Sequence, residues 1–330
     1  MFNGIRLIKE NTNIGFVRHR IFSFVVFGII ILGSLSLIMG RGLNFGIDFT
    51  GGMLVEVRFE NPPPIAELRS KLNAIDMGSV SIQEFGTAND FLIRFPQQGE
   101  TEQAVLEAKV KTVLEGFTKA PEMALPGAEA AVNKEAIEYR RFEFVGPQVG
   151  SELIEAGILA IVLSIGGILA YVSFRFEWQF GIAAVVALIH DALGTIALFS
   201  LTQMEFNLAT VAAVLLVAGY SINDTVVVFD RIRENLRKFK RRPMVEVLDL
   251  SINETLSRTI LTSLTTVVAL VALWVFGGEV IQGFVVALVF GIVIGTHSSI
   301  FVASPILLYL GLRAKDVAAP GEIEAEDKLI

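Results

Sequence analysis

The sequence predicts a membrane protein: an all-α bundle of six spanning helices, with an extracytoplasmic α+β domain of ferredoxin-like topology inserted after the first. Three observations carry this. The 330 residues are 53% hydrophobic and only 18% charged, against roughly 25% charged in a soluble domain. The apolar residues cluster in six runs long enough for a bilayer, which takes about 20 residues. The one long polar stretch, between the first two runs, reads as β-α-β-β-α-β, the split-βαβ order.

The spans are read at 21–40, 156–174, 179–199, 207–229, 260–277 and 281–311. The first, "IFSFVVFGIIILGSLSLIMG", carries no charge. It exceeds the roughly 7–15 apolar residues of a signal peptide and no small-residue cleavage site follows, so it is expected to be retained. The alternative for the set, buried helices of a large soluble core, does not fit runs with almost no polar face.

Orientation follows the basic residues. Arg6, Lys9, Arg18 and Arg20 precede the first span, and "RIRENLRKFKRR" (231–242) carries seven basic residues between spans four and five. Arg313, Lys315 and Lys328 follow the last span, while the links 200–206 and 278–280 have none. The expected map has 1–20, a basic loop at 230–259 and a tail at 312–330 in the cytoplasm, with 41–155 outside. With a net charge of −7 and no aromatic or motif-like company, the basic loop reads as a membrane-side signal. No nucleic-acid partner is expected.

Within 41–155, "MLVEVRF" (53–59) alternates as a strand and "PPIAELRSKLNAI" (63–75) opens on prolines as a helix does. "VSIQEFG" (80–86) and "FLIRFP" (91–96) are two short strands with "TAND" as the turn between them. "TEQAVLEAKVKTVLEGF" (101–117) is an amphipathic helix with Thr101 as cap, and "RRFEFVG" (140–146) a last strand. This region has no His and the chain no Cys. That leaves no thiolate nucleophile, disulfide or Cys/His zinc site. A docking or substrate-contacting module is expected rather than an enzyme, with no metal and no cofactor.

Ionisable groups at membrane depth are costly and default to functional candidates. Asp224 is the strongest. Tyr220 and Ser221 stand one turn before it, and Asn223 and Thr225 flank it. These groups could hydrogen-bond the carboxylate and line a small wet cavity, so proton handling is the expected role. A structural bridge between helices is the alternative. Arg258, at the entry to the fifth span, could alternate with a proton as partner of Asp224, or simply anchor the helix. It opens "RTILTSLTT", whose Thr259, Thr262, Ser263, Thr265 and Thr266 could carry a file of water. His190 and Asp191 in the third span are neighbours about 100° apart on a helix. Both should therefore not face one point, and they are read as relay or structural groups. His297 is read as an interior histidine. In the sixth span Gly283, Ala287, Gly291, Gly295, Ser299 and Ala303 recur every four residues, a small-residue ridge that lets helices approach closely. Pro305 should kink that helix.

"GLNFGIDFTGG", "LIHDALGT", "GYSINDTVVVFDRIREN", "SRTILTS" and "GTHSSIFVASP" occur in that order along nearly the whole chain. They resemble the SecD/SecF family of bacterial protein-export membrane proteins, of the resistance-nodulation-division superfamily. The resemblance implies six helices with an outer domain, and a pseudo-symmetric partnership with SecD beside the SecYEG channel. It also implies use of the proton gradient to pull or release unfolded secretory polypeptides on the outer side of the inner membrane. By motif position it puts the proton-coupling Asp at Asp224 and the helix-five Arg at Arg258, with protons as the coupling ion and membrane lipids as surroundings. The rival readings are a proton-driven exporter of small molecules or lipids, for which the outer region is small, and a non-transporting scaffold.

Overall fold

The structure, a computed structural model, describes residues 12–75, 80–85, 87–96, 103–117, 137–278, 281–313 and 317. The expected cap Thr101 lies outside them. In chain order the main elements are α1 (Arg20–Arg41), β1 (Gly52–Phe59), α2 (Ile65–Asn73), β2 (Ser81–Phe85), β3 (Thr87–Phe95), α3 (Gln103–Glu115), β4 (Ile137–Val145), α4 (Pro147–Arg175), α5 (Trp178–Thr202), α6 (Leu208–Lys238), α7 (Met244–Phe276), α8 (Gln282–Ser298) and, after a π-helical segment at Ser299–Ala303, α9 (Ser304–Tyr309). They fall into two compact units, Met1–Asn44 with Ile158–Ile330, and Phe45–Gly157.

The inserted unit is a four-stranded antiparallel sheet in the order β2-β3-β1-β4, the strand order of the ferredoxin-like fold. Period-two alternation places Met53, Val55, Val57 and Phe59 of β1 beside Phe91, Ile93 and Phe95 of β3, under Leu68 and Leu72 of α2 and Val110 and Leu114 of α3. A glycine pair delivers the chain into β1. Gly51 and Gly52 take φ of 68° and 121°, a region that side chains with a Cβ avoid. The "TAND" residues read as a turn instead open β3. The reason is Asp90, which lies opposite Arg58 in the sheet register and accepts two hydrogen bonds from its guanidinium, both at 2.7 Å. Thr87 Oγ1 donates to the same carboxylate at 2.7 Å, and Arg140 stands 3.3 Å away. The Arg58 hydrogen bonds hold the Asp90 carboxyl down at about 2.

In the other unit six helices are long and apolar enough to cross a membrane. α6 and α8 lie at its centre: each packs against the other and against both α5 and α7, and α1 lies on α5. α4 exposes apolar residues all round, among them Ile158, Leu163 and Phe174. The ends are tied by polar side chains. Ser200 Oγ donates to the carbonyls of Leu37 and Gly42 at 2.9 and 2.7 Å, and Asn44 Nδ2 to that of Gln203 at 2.9 Å. Asn207 caps α6, accepting from the Thr210 amide at 3.0 Å in a reciprocal capping box.

One expectation needs correction. The segment 230–259 is not a loop: α6 continues to Lys238, α7 starts at Met244, and only 239–243 turns. The extended helices are held together by Val247, Leu248, Ser251 and Ile252, all buried, and by Asn235 Nδ2, which donates to Ser251 Oγ at 3.0 Å and Glu254 Oε2 at 2.7 Å. Against this hairpin the N-terminal strand of chain is latched. Ile14 N donates to Asn253 Oδ1 at 3.0 Å, Asn253 Nδ2 returns a bond to Ile14 O at 2.8 Å, and Val17 N donates to Asp249 Oδ1 at 2.8 Å. The sixth span, in turn, departs from α-helix six residues before Pro305. The π-helical segment moves the ladder ahead of the proline, which has no amide to give and would crowd the carbonyl four residues back. Ser304 Oγ donates to the carbonyl of Ser299 at 3.0 Å.

Candidate functional site

The inward face of α6 repeats at helical spacing: Val217, Ser221, Asp224, Thr225 and Val228 are all buried. α8 reaches this face because it carries glycines there. A Cβ on Gly291 would lie 2.1 Å from Val217 Cγ2, and one on Gly295 would lie 3.0 Å from Ser221 Cβ and 3.4 Å from Asp191 Oδ2. Ala287, Ser299 and Ala303 on the same ridge are fully buried, and Gly283, near its start, makes only ordinary contact, 3.8 Å from Phe199. The ridge packs within this chain.

Two carboxylates sit in the resulting seams, with different surroundings. Asp224, 3% exposed, faces α7 and α8. Ser263 Oγ lies 3.3 Å from its Oδ2 and 2.7 Å from Thr296 Oγ1, whose own hydroxyl reaches the Ile292 carbonyl at 2.7 Å. Two hydroxyl protons thus serve three contacts. With Asp224 ionised, Thr296 can donate to Ser263 and Ser263 to the carboxylate, which releases the back-bond to the Ile292 carbonyl. With Asp224 protonated, a single run of donors from Asp224 through Ser263 and Thr296 to the Ile292 carbonyl fills all three. Asp191, fully buried, instead meets three polar groups: Ser221 Oγ at 2.6 Å and Ser298 Oγ at 2.8 Å on Oδ2, the latter also 3.0 Å from the Gly295 carbonyl, and His190 Nδ1 at 2.9 Å on Oδ1.

Several sequence expectations change here. Asn223 is exposed, one residue and about 100° away from the inward Asp224. Ser221 serves Asp191 rather than Asp224, Thr225 Oγ1 meets Ser299 Oγ at 2.8 Å, and Tyr220 reaches Thr266 at 3.4 Å. Most hydroxyls of α7 turn back on their own helix. Those of Thr262, Thr265 and Thr266 donate to backbone carbonyls of their own helix, the usual habit of a mid-helix threonine. Of the five, Ser263 and Thr262 are within reach of the carboxylate, and Thr259 Oγ1 is buried without a partner among the described residues. Arg258 is exposed. Its charge reaches Asp224, but among the described residues no cation lies within 4 Å of that carboxylate. His190 and Asp191 meet despite their 100° offset, because the ring turns back along the helix to the neighbouring carboxylate.

Sequence reading passed over Thr296 and Ser298. Their signal was present: "THSS" puts three hydroxyls around His297 in an otherwise apolar span.

Six apolar helices, an inserted ferredoxin-like domain and an aspartate buried among hydroxyls define a multi-pass membrane transport protein. Residues 127–313 match the family model described as protein export membrane protein SecD/SecF, C-terminal, and residues 36–63 match the SecD/SecF GG motif. The chain belongs to the SecD/SecF family of protein-export membrane proteins. It is 42% identical over 321 residues to the protein translocase subunit SecF of Vibrio alginolyticus, covering 97% of each chain. It is 43% identical over 303 residues to that of Rickettsia prowazekii (strain Madrid E), covering 92% of this chain and 93% of the relative. Among solved structures it is similar to SecDF, a translocon-associated membrane protein from Thermus thermophilus, with a TM-score of 0.78 and 32% identity over 92% of this chain. A second similarity is to SecDF in the super-membrane-facing form, with a TM-score of 0.64, 31% identity and 91% coverage. The chain spans about two fifths of each SecDF chain, 40% and 39%. With these relatives and its six spans, it is a multi-pass inner-membrane protein of the protein-translocation type.

Proposed function

We propose that the chain is the proton-driven subunit of a protein-export machine. In this reading it works with SecD beside the SecYEG channel to pull or release unfolded secretory polypeptides on the outer face of the membrane. The observation that supports it is the Asp224–Ser263–Thr296 run, which can carry its donors in either direction: from a protonated carboxyl out to the Ile292 carbonyl, or from Thr296 through Ser263 to an ionised carboxylate. Uptake and release of the carboxyl proton redirect donors that join α6, α7 and α8. The scale is adequate: one charge crossing the membrane is worth about 2.3 kcal/mol per 100 mV, enough to bias two packings a few kcal/mol apart. Arg258, the cation nearest in effect, would attract the carboxylate in a second packing. The proton is the only coupling species this reading requires. Both termini and the α6–α7 hairpin lie in the cytoplasm and the ferredoxin-like domain outside.

Asp224→Asn keeps the size and a hydrogen-bonding oxygen but cannot exchange a proton. The variant should assemble with SecD yet lose gradient-dependent export of a secreted reporter and the accompanying proton flux. Normal export by Asp224→Asn at full proton-motive force would make the carboxylate a structural bridge.

A further inference from the structure

The structure holds a second buried ionisable centre that the Asp224 reading does not use. His190 has no exposed surface. Its Nδ1 lies 2.9 Å from Asp191 Oδ1; facing an ionised carboxylate, which can only accept, Nδ1 is the nitrogen that carries the hydrogen. Its Nε2 is buried with no hydrogen-bond partner among the described residues. A neutral His190 in this tautomer therefore presents a bare lone pair at Nε2. Buried polar atoms are satisfied in nearly all cases, so an orphan of this kind, beside a buried carboxylate, marks a place built to take something up.

The surroundings specify what. The ring lies between flat apolar or weakly polar faces: Phe27 of α1 stacks on it at 5.3 Å with planes 20° apart, and His297 of α8 follows at 6.5 Å, itself stacked on Phe301 at 4.9 Å. The ring has no exposed surface, and among the described residues no group of three or more acids or histidines placed to hold a metal ion occurs. A proton needs no room. The groups facing His190 are Phe27 from α1, Asp191 from its own helix, and His297 with Ser298 from α8. Ser221 of α6 meets it only through Asp191. The charged or titratable members are Asp191 and His297. Asp224, one turn along α6, is bonded away toward α7.

We propose that His190, Asp191 and His297 form a second, occluded proton-binding site, in which a proton adds to Nε2 of His190 and the Asp191 carboxylate balances the resulting imidazolium. The step is an addition: the lone pair of Nε2 forms the new N–H bond, the donor is water-borne hydronium, and the pair passes from one net negative charge to none. The face of Phe27 stacked on the ring also suits a cation. Since the ring has no exposed surface, loading requires a neighbouring helix to move, which makes the site a register of whether the bundle is open. A role for this proton in transport rests on the function proposed above. The site itself does not.

The chain has three histidines, His19, His190 and His297, which makes a direct test practical. The full chain, labelled with nitrogen-15 at histidine and reconstituted in phospholipid vesicles, is titrated from pH 9 to pH 4 while the imidazole nitrogens are followed by solid-state NMR. Assignment comes from His190→Phe and His297→Phe. At high pH His190 should carry hydrogen on Nδ1 and none on Nε2, and acidification should protonate Nε2. In Asp191→Asn, without its counter-charge, His190 should stay neutral over the pH range in which the parent titrates. A His190 whose Nε2 never gains a proton, or that holds its hydrogen on Nε2 at high pH, overturns the proposal. So does an unchanged titration in Asp191→Asn. Because the imidazole is read directly, such a failure leaves proton coupling at Asp224 standing, and an export-competent Asp224→Asn leaves this titration standing.

Discussion

Gly291 and Val217 touch where no side chain could be inserted: a Cβ at 291 would stand 2.1 Å from Val217 Cγ2 and 2.7 Å from its Cγ1. The two branched carbons belong to a stiff β-branched residue on a helix and cannot swing aside. The α6–α8 distance is therefore fixed by the glycine.

Gly291→Ala should cost roughly 1–3 kcal/mol of stability, as overpacking does, and Gly291→Leu should prevent the bundle from closing while leaving membrane insertion intact. Gly283→Ala is the control, since a Cβ there would meet Phe199 at an ordinary 3.8 Å. Thermal unfolding in detergent checks the contrast. Equal midpoints for Gly291→Ala and Gly283→Ala would show that the helices can separate freely at this contact.

Asp90 should make the outer domain acid-sensitive. Its carboxyl is held at about 2 against an ordinary 3.8, first by the Arg58 hydrogen bonds. A depressed carboxylate contributes stability that is fully present above the unfolded value and fades as pH falls through the folded one. The loss should thus occur between about pH 4 and pH 2. Asp90→Asn should be less stable at neutral pH, by about 1–3 kcal/mol, and should lack this particular decline. Chemical denaturation across that pH window measures it; parallel curves for the two proteins would remove Asp90 as the cause.

The latch at the N-terminal end gives a third expectation. Asp249 and Asn253 hold the backbone of Ile14 and Val17, much as a capping side chain holds a helix start. Asp249→Ala with Asn253→Ala should speed amide exchange at Val17 on the order of tenfold, given about 1 kcal/mol or more for each such cap. Exchange in the core of α6, at Val217 for instance, should not change. Unaltered exchange at Val17 would mean that the buried Phe16 and Val17 side chains alone hold this segment.

Orientation is testable with reporters. Fusions near residues 10, 240 and 320 should report a cytoplasmic location, and one near residue 90 the opposite side. A cytoplasmic signal at residue 90 would invert the topology and with it the direction of proposed proton flow.

Much of this was legible in the sequence where one physical signal dominates. Apolar runs set the six spans, and period-two alternation set the strands of the inserted domain. Asp224 stood out because a carboxylate in hydrocarbon needs a reason. The helical hairpin at 230–259 was hidden by its charges. Arg and Lys filled the count, while Leu236, Val247, Leu248, Ile252 and Leu256, all buried, carried the helical spacing. Asn223 looked like a partner of Asp224 from adjacency, whereas helix geometry turns it outward. Ser298 and Thr296 were missed because only the fold tells which neighbouring helix a hydroxyl meets. The His190–Asp191 bond was missed because backbone angles were taken for the positions of side-chain tips, and an imidazole is long enough to turn back.

The π-helical segment at Ser299–Ala303 has one more consequence. A π turn stores one residue beyond what an α-helix of the same rise would use. That surplus sits between the rungs that bear Thr296 and Ser298, which answer to the two carboxylates, and the stretch beyond Pro305. A stored residue works like slack in a rope. The half of the helix facing the carboxylates can twist by a fraction of a turn while the far half keeps its grip, because the spare length absorbs the mismatch. The sixth helix therefore behaves as two pieces sharing one axis, and a change at Asp224 need not drag its far end along.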